Sequence, residues 1–378
     1  MLVQPEVCVR GAGIVGRTLA LLLARARLRV ALVAADSPAA AAPQAGDVRA
    51  YALSAANRQL LQELRCWPAE GDATPVLRMD VFGDRQARAC FDAAAQGVEA
   101  LGWIVDVPAL ERKLAEAGRF APDIETVAAP VPAPLTVVCE GRASQTRAEL
   151  GVAWKATPYP QHAIATRLDC ELPHGQTARQ WFTAEGEILA FLPLGGPHGR
   201  QVAVVWSVRC ERAPHLMALD EGAFAAELHQ VSGAVLGALA LAGQRACWPL
   251  QLAEADRWAG PVPGRAHQSF ALAGDAAHAM HPLAGQGLNA GLGDAAELAR
   301  LLAARPSWRT PDDLKLLRAY ARARRARWMP MKLATDGLQQ LFGRTEAPLA
   351  LLRNWGLAAF DRCGPLKARA IDFAAGKL

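Results

Sequence analysis

Apolar and polar positions sort the chain into two ends that mix strand-like and helical patterns around a middle that is mostly strand-like. Near the start, Glu6-Val7-Cys8-Val9-Arg10 is an apolar run of strand length. Thr18 to Ala26 has helical composition and Arg29 to Ala34 is a second apolar run, so the pattern predicts strand, helix, strand. Ser37 to Gly46, rich in Ala and Pro, has no period and reads as a loop. Arg49-Ala50-Tyr51-Ala52-Leu53-Ser54 precedes a helix predicted from about Ala55 to Leu64, with Ser54 as its N-cap. Val76 to Phe82 and Ala87 to Phe91 alternate as a hairpin would. Trp103 to Asp106 leads into a helix beginning near Pro108, and Leu135 to Cys139 is another buried strand.

Tyr159 to Val208 is mostly strand, with runs at Ile164 to Leu168, Glu187 to Leu192 and Gln201 to Ser207. This stretch reads as an antiparallel sheet inserted between two parts of another domain. Helices are predicted around Asp220 to Ala242 and a strand near Cys247 to Leu252, and the chain re-enters the first domain at Ser269. Leu298 to Leu302 continues a helix begun at Gly287. Pro311 and Asp312 open another helix, with interruptions expected at Pro330 and Pro348. The expected fold class is α/β: a Rossmann-like cofactor domain from residues 1–74, 103–155 and 264–310, an antiparallel-sheet domain from 75–102 and 156–263, and a helical C-terminal region from 311–378. There is no internal repeat.

Two stretches carry candidate chemistry. Gly11-Ala12-Gly13-Ile14-Val15-Gly16 lies between the first strand and the first helix. There Gly11 would allow a tight turn, Gly13 would let a pyrophosphate approach the backbone, and Gly16 would let helix and strand pack closely. The alternative is a purely structural glycine turn. The acidic residue expected about 20 positions on is missing, because Ala34 stands at the second strand's end. Asp36 either takes over that role if the strand end bends or is a solvated loop charge. The second stretch, Phe270 to Asn289, reads as a buried strand, an acidic turn at Gly274-Asp275, a proline stop at Pro282, and a glycine-rich opening into a helix. Asp275 could accept hydrogen bonds from a ligand's hydroxyls. Gly285 and Gly287 would let that ligand reach the first helical turn, whose unpaired N–H groups favour negative charge.

Composition narrows the class. With 378 residues and 52% hydrophobic content, the chain can fill a large core. A dispersed net charge of +5 lacks the concentrated basic stripe of a nucleic-acid binder. The eight cysteines are scattered and form no C-x-x-C pair, a pattern of free thiols in a reducing compartment. No export signal or run of roughly 20 apolar residues is visible, so the expected location is cytoplasmic and any membrane association peripheral. Lys315, Arg318, Arg322, Arg324, Arg325, Arg327 and Lys332 form a basic helical face, read as solvated or as a surface for anionic lipid or a partner. His278 and His281 stand three apart without Cys, Asp or Glu to complete a metal site, so no metal is expected. Trp154, Trp181, Trp206 and Trp248 are either core or walls of an apolar cavity. Histidines or Tyr159 could deprotonate a phenol, and the sequence does not choose between them.

Three separated segments resemble one family. They are Gly11 to Gly16, the strand before Glu140-Gly141-Arg142-Ala143-Ser144, and Gly274-Asp275-Ala276-Ala277-His278 with Pro282-Leu283-Ala284-Gly285-Gln286-Gly287-Leu288-Asn289. Together they are similar to the signatures of the single-component FAD-dependent aromatic hydroxylases, the para-hydroxybenzoate hydroxylase-like family. His281 to Asn289, Arg49 to Ser54, and the tail from Thr335-Asp336-Gly337-Leu338 through Leu341-Phe342 to Leu352-Arg353-Asn354-Trp355-Gly356-Leu357 resemble its ubiquinone-biosynthesis branch. The resemblance spans nearly the whole chain.

The resemblance implies FAD as cofactor, held at Gly11, Gly13 and Gly16 (pyrophosphate), Arg49, Glu140 and Gly274, with Asp275 on the ribitol and Asp36 as the stand-in acid. Pro282, Gly285, Gln286, Gly287, Leu288 and Asn289 would surround the flavin ring. Of these, Pro282, Gly285 and Gly287 form the catalytic backbone environment, with no side-chain base assigned. NAD(P)H would be co-substrate, and the substrates a prenylated phenol and molecular oxygen, with hydroxyl transfer from a flavin C4a-hydroperoxide. The location implied is cytoplasmic, compatible with peripheral attachment to the inner membrane, a biosynthetic complex or a homo-oligomer. The chain departs from the family in having Ala34, in having Glu140 for the usual Asp, and in a shortened Gly118 to Leu135 segment in which strands are expected to be trimmed. The alternatives are a flavin hydroxylase of another aromatic compound and a non-catalytic, FAD-free scaffold subunit.

Overall fold

A computed structural model describes residues 4–34, 47–83, 88–196, 198–280 and 286–343, except the side chains of 334–336 and 338–343. The chain begins β1 (Val7–Arg10), α1 (Ile14–Arg25), β2 (Val30–Val33), β3 (Ala50–Leu53), α2 (Ala55–Glu63), β4 (Ala73–Val76), β5 (Arg78–Phe82) and β6 (Arg88–Asp92). It continues β7 (Gly102–Asp106), α3 (Val107–Arg119), β8 (Ile124–Val127), β9 (Leu135–Val138) and α4 (Gln145–Glu149). The middle holds β10 (Trp154–Cys170), β11 (Thr177–Phe182), β12 (Ile188–Leu194), β13 (Gln201–Arg209), α5 (Ala213–Ala218) and α6 (Glu221–Ser232). Last come β14 (Leu239–Leu241), β15 (Ala246–Ala255), β16 (Ala259–Pro261), β17 (Ser269–Leu272), β18 (His278–Ala279), α7 (Gln286–Ala303) and α8 (Leu314–Gly343).

The α/β reading holds, with a Rossmann-like layer and an antiparallel sheet. A six-stranded sheet runs β16-β17-β9-β1-β2-β8, parallel except for β16. Its inner strands, such as β2 and β17, are short, near-continuous apolar runs because both faces are covered. Val7, Val9, Leu135 and Val137 pack with Leu19 and Leu23 of α1, Leu298 of α7 and Leu317 of α8 in one core. The second sheet runs β18-β15-β10-β13-β12-β11-β5-β6, with β14 also on β10. It is antiparallel except where β11 meets β5. A small sheet, β3-β7-β4, completes the strands.

Alternation along β13 decides which face of the second sheet is core. Val202, Val204, Trp206 and Val208 pack against Phe224 and Leu228 of α6, which leaves Ala203, Val205 and Ser207 on the opposite face. The cap predicted at Ser54 is present, accepting from Asn57 N, and α3 is capped by Asp106, which accepts from Ala109 N.

Several expectations are corrected. The helical region predicted to Ala242 ends at Ser232, where Gly233 takes a left-handed φ of 63° and the chain turns to form β14 on β10. Pro330 does not interrupt α8, which runs through it. Buried Trp328 and the Lys332–Glu254 ion pair at 3.0 Å anchor the helix on both sides of the proline. That helix opens at Leu314 rather than at Pro311, with the Asp313 carboxylate accepting from Leu316 N at 3.0 Å. The short segment after α3 still carries β8, which pairs with β2 in parallel. Asp36, His281, Pro282, Gly285, Pro348 and the tail from Arg344 onward lie outside the described residues, as does the Ser37 to Gly46 loop.

Candidate active site

The three signature segments, far apart in sequence, meet at the carboxyl ends of three adjacent parallel strands. β1 ends at Arg10, β9 at Val138 and β17 at Leu272, paired in register as Arg10↔Val138↔Leu272. The turns that follow therefore lie side by side, where open α/β sheets bind ligands. Gly11 has φ +110°, and a Cβ there would sit 2.5 Å from the Cys139 carbonyl oxygen. A Cβ on Gly16 would sit 1.9 Å from the Gly11 carbonyl oxygen, so helix α1 can press onto the turn only because both are glycine. Around Gly13 there is open space, and this residue lines the cavity.

That cavity, about 710 Å³, has two ends. One end is made by Gly13, Arg49, Tyr51, Arg142, Asp275 and the first turn of α7 from Gln286 to Asn289. Asp275 opens onto it with its side chain 49% exposed, and Arg142 Nε lies 3.9 Å away. Surrounding protein displaces water from the Asp275 carboxyl and pushes its pKa above the ordinary value, with His278 and Arg142 opposing. At the other end, Ala165, Ala190, Leu192, Val205 and Trp248 of the antiparallel sheet form a largely apolar wall that also holds Gln180.

Arg49 is held in place by Asp47, which accepts from its Nε at 2.9 Å and its Nη2 at 2.6 Å. Arg167 of β10 reaches across to this segment. It pairs with Asp106 at 2.6 Å and donates to the carbonyls of Asp47, Val48 and Arg49, tying the segment to the antiparallel sheet.

Glu140 does not line the cavity. Its carboxylate accepts from the Ser144 hydroxyl at 2.7 Å and from Thr146, and pairs with Arg10 at 3.1 Å. There it fastens the start of α4. Asn289 lines the cavity, but its side chain is a clamp. Oδ1 accepts from Ser54 N at 2.9 Å and Asn57 Nδ2 at 2.8 Å, and Nδ2 donates to Ala52 O at 2.8 Å.

The residue that sequence reasoning passed over is Asp294, fully buried on α7. It accepts from Gly274 N at 2.9 Å and Arg324 Nε at 2.6 Å, and lies 2.7 Å from His278 Nε2. Burial alone would raise its carboxyl, but His278 and Arg324 outweigh that and hold it below the usual range. His278 lies between Trp258 and Trp328, with ring centroids at 4.9 and 4.5 Å. Its role is to brace the Gly274-Asp275 turn from behind. The polar-after-helix spacing of Asp294 was a visible signal, since an acid on an otherwise apolar helical face needs a partner. Among the four tryptophans only Trp248 lines the cavity: Trp181 and Trp206 are core, and Trp154 stacks under Arg147 at 3.9 Å. Tyr159 is buried with Ala163 and Leu250.

A cleft at the carboxyl ends of a parallel sheet, opening onto an apolar sheet face, has the form of a cofactor site joined to an apolar substrate pocket. The sequence profile described as FAD binding domain matches residues 109–332. The chain belongs to the FAD-dependent aromatic-ring hydroxylase family, in its ubiquinone-biosynthesis branch. It is 33% identical to the ubiquinone hydroxylase UbiL of Rhodospirillum rubrum, over 99% of this chain and 90% of that protein. It is 30% identical to the 3-demethoxyubiquinol 3-hydroxylase of Escherichia coli, over 99% of both. Among solved structures, p-nitrophenol 4-monooxygenase PnpA from Pseudomonas putida superposes with a TM-score of 0.74 at 18% identity, covering 100% of each chain. Klebsiella pneumoniae HpxO complexed with FAD and uric acid gives 0.72 at 17% identity, over 98% of this chain and 96% of that one. These two likenesses show the fold. The chain is thus an FAD-dependent monooxygenase, of a family that typically uses NAD(P)H. Among the described residues no helix is long and apolar enough to cross a membrane.

Proposed function

We propose that this protein hydroxylates the aromatic ring of a polyprenylated phenol in ubiquinone biosynthesis, consuming NAD(P)H and molecular oxygen. The observation that carries the reading is the continuity of one cavity from the Gly13, Asp275 and α7 end to the apolar face of the antiparallel sheet. It is supported by relatives whose names are those of ubiquinone-pathway hydroxylases.

The residues present fit FAD. The Gly11 to Gly16 turn leaves an opening at Gly13 that suits a pyrophosphate against the backbone. Asp275 is open to a polyol chain, and Arg49 is fixed at the cavity edge by Asp47. Gly274 and Glu140 act from behind, shaping the two neighbouring turns. Gln286, Gly287, Leu288 and Asn289 present the first-turn amides of an 18-residue helix, which favour negative charge without supplying an acid. FAD, when bound, supplies the chemistry that activates oxygen. The chain's own part is to orient the ring on the sheet face, exclude water with apolar walls, and hold charge at the α7 end. Pro282 and Gly285 belong to this environment in the same proposal, and Asp36 to the ribose end.

The reading carries a location with it: cytoplasmic and peripheral to the inner membrane, where a prenyl tail partitions. Cells lacking the gene should accumulate an under-hydroxylated prenylphenol, and normal quinone without such an intermediate would overturn the proposal. Purified protein should carry a flavin spectrum near full occupancy; colourless protein that takes up no added FAD would favour the scaffold reading.

A further inference from the structure

Among the described residues the sheet wall of the cavity is apolar apart from three neutral side chains, and two of these have no protein partner. Gln180 on β11 is 6% exposed and Ser207 on β13 is 3% exposed, and both line the cavity. Among the described residues neither the Gln180 amide nor the Ser207 hydroxyl is held by a protein partner, and neither counts among the fully buried unpaired atoms, so both groups open to the cavity. Gln251, half-buried on β15, is the third. A polar side chain that opens from an apolar wall and is not engaged by protein is free to bond a ligand.

Register fixes how these groups stand. Gln180 pairs across β12 with Ala190, which pairs with Val205; Ser207 lies two residues further along β13, opposite Ile188. Two strand spacings and one side-chain row separate their Cα atoms by about 12 Å, across a floor of Ala190, Val205 and Ile188. Among the described residues, the sheet residues lining this wall include no titratable side chain. Arg167 shares the face, opposite Ala203, but its guanidinium is taken by Asp106 at 2.6 Å and by backbone carbonyls.

We infer that Gln180 and Ser207 are the pair that anchors the ring oxygens of an uncharged substrate, selecting a neutral phenol or ring ether over an aryl carboxylate. Each group can donate and accept, so the pair matches a hydroxyl or an ether oxygen. A carboxylate would enter this wall without a cation to meet it. The inference rests on reading the sheet end as the aromatic site.

Calorimetric titration of the full chain with three probes tests it: 2-prenylphenol, prenylbenzene lacking the hydroxyl, and 4-hydroxybenzoate. The unmodified protein should bind the phenol about tenfold tighter than prenylbenzene, and 4-hydroxybenzoate more weakly than the phenol. Gln180→Leu should erase most of the phenol's advantage while leaving prenylbenzene affinity unchanged, and Ser207→Ala should reduce it by a few fold. A Gln180→Leu variant that weakens both prenyl probes equally would reduce Gln180 to packing and overturn the inference. Tighter binding of 4-hydroxybenzoate than of the phenol would overturn it as well, as would failure to bind either prenyl probe. Calorimetry reads binding without turnover, so a protein that binds as expected yet oxidises no NAD(P)H would sink the proposed function and leave the anchoring pair standing.

Discussion

Replacing Asp294 by alanine tests whether the Gly274-Asp275 turn is held from behind. The carboxylate is fully buried, with Arg324 Nε at 2.6 Å, His278 Nε2 at 2.7 Å and Gly274 N at 2.9 Å. Asp294→Ala strands the Arg324 charge, which is 8% exposed, and leaves the Gly274 amide unpaired. Breaking a buried ion pair from one side costs about 3–5 kcal/mol. Asp294→Asn keeps an acceptor and should cost less by about one hydrogen bond, roughly 1 kcal/mol. The pH dependence has a definite sign. The folded carboxyl lies below its ordinary value of 3.8, so the unfolded chain binds the proton more readily. The stabilisation is therefore fully present above pH 3.8 and drains away as pH falls through the folded value. Urea unfolding at pH 7, 5 and 3 should show a constant gap between the unmodified protein and Asp294→Asn at the first two, narrowing at the third. An alanine variant costing less than about 1 kcal/mol, or a gap that does not narrow, would refute the bracing role.

Other substitutions probe the remaining parts of the site. For Asp275, burial raises the carboxyl, so its ionised form costs the empty protein stability that is present below pH 3.8 and lost as pH rises through the higher folded value. Asp275→Asn should accordingly raise the melting temperature of flavin-free protein at pH 7 while lowering flavin occupancy; a lower melting temperature would contradict this. Gly16→Ala places a Cβ 1.9 Å from the Gly11 carbonyl oxygen and forces the backbone apart. Equilibrium unfolding should register a loss of about 1–3 kcal/mol or more, and unmodified stability would refute the close packing. Asn289→Ala removes the clamp on Ser54, Asn57 and Ala52, with an expected cost of about 2–4 kcal/mol. Hydrogen exchange of the Ser54 amide should accelerate, and unchanged protection there would dispose of the clamp.

Legibility in the sequence followed the range of the interaction that fixes each residue. Gly11, Gly13 and Gly16 are set by the turn they lie in, so their spacing alone carries their geometry, and the βαβ pattern around them needs only neighbours. Ser54 and Asp106 cap helices three residues away, within the reach of a local reading. The surroundings of Glu140 were not legible, because Arg10 lies far off in sequence and only the parallel pairing of β1 with β9 brings it near. Gln180 and Ser207 had no signal at all, since a neutral side chain in a strand looks the same whether it faces core or cavity. The face is decided by which side of the sheet α6 covers.

The late signature gains its specificity from this division of labour. Asp275 and Gly287 open onto the cavity, while Asn289 and Asp294, on the same helix and turn, are spent on holding other elements in place. A Cβ on Gly291 would lie 3.1 Å from the Gly274 Cα, so α7 and the acidic turn have no room to shift independently. The motif is therefore long because a ligand-facing acid needs a fixed backbone, and fixing it takes a helix that is itself anchored at both Asn289 and Asp294. It follows that substitutions at the buried positions should lower flavin occupancy through stability, whereas those at Asp275 should lower it in a protein that is no less stable. Measuring occupancy and unfolding on the same samples separates the two groups.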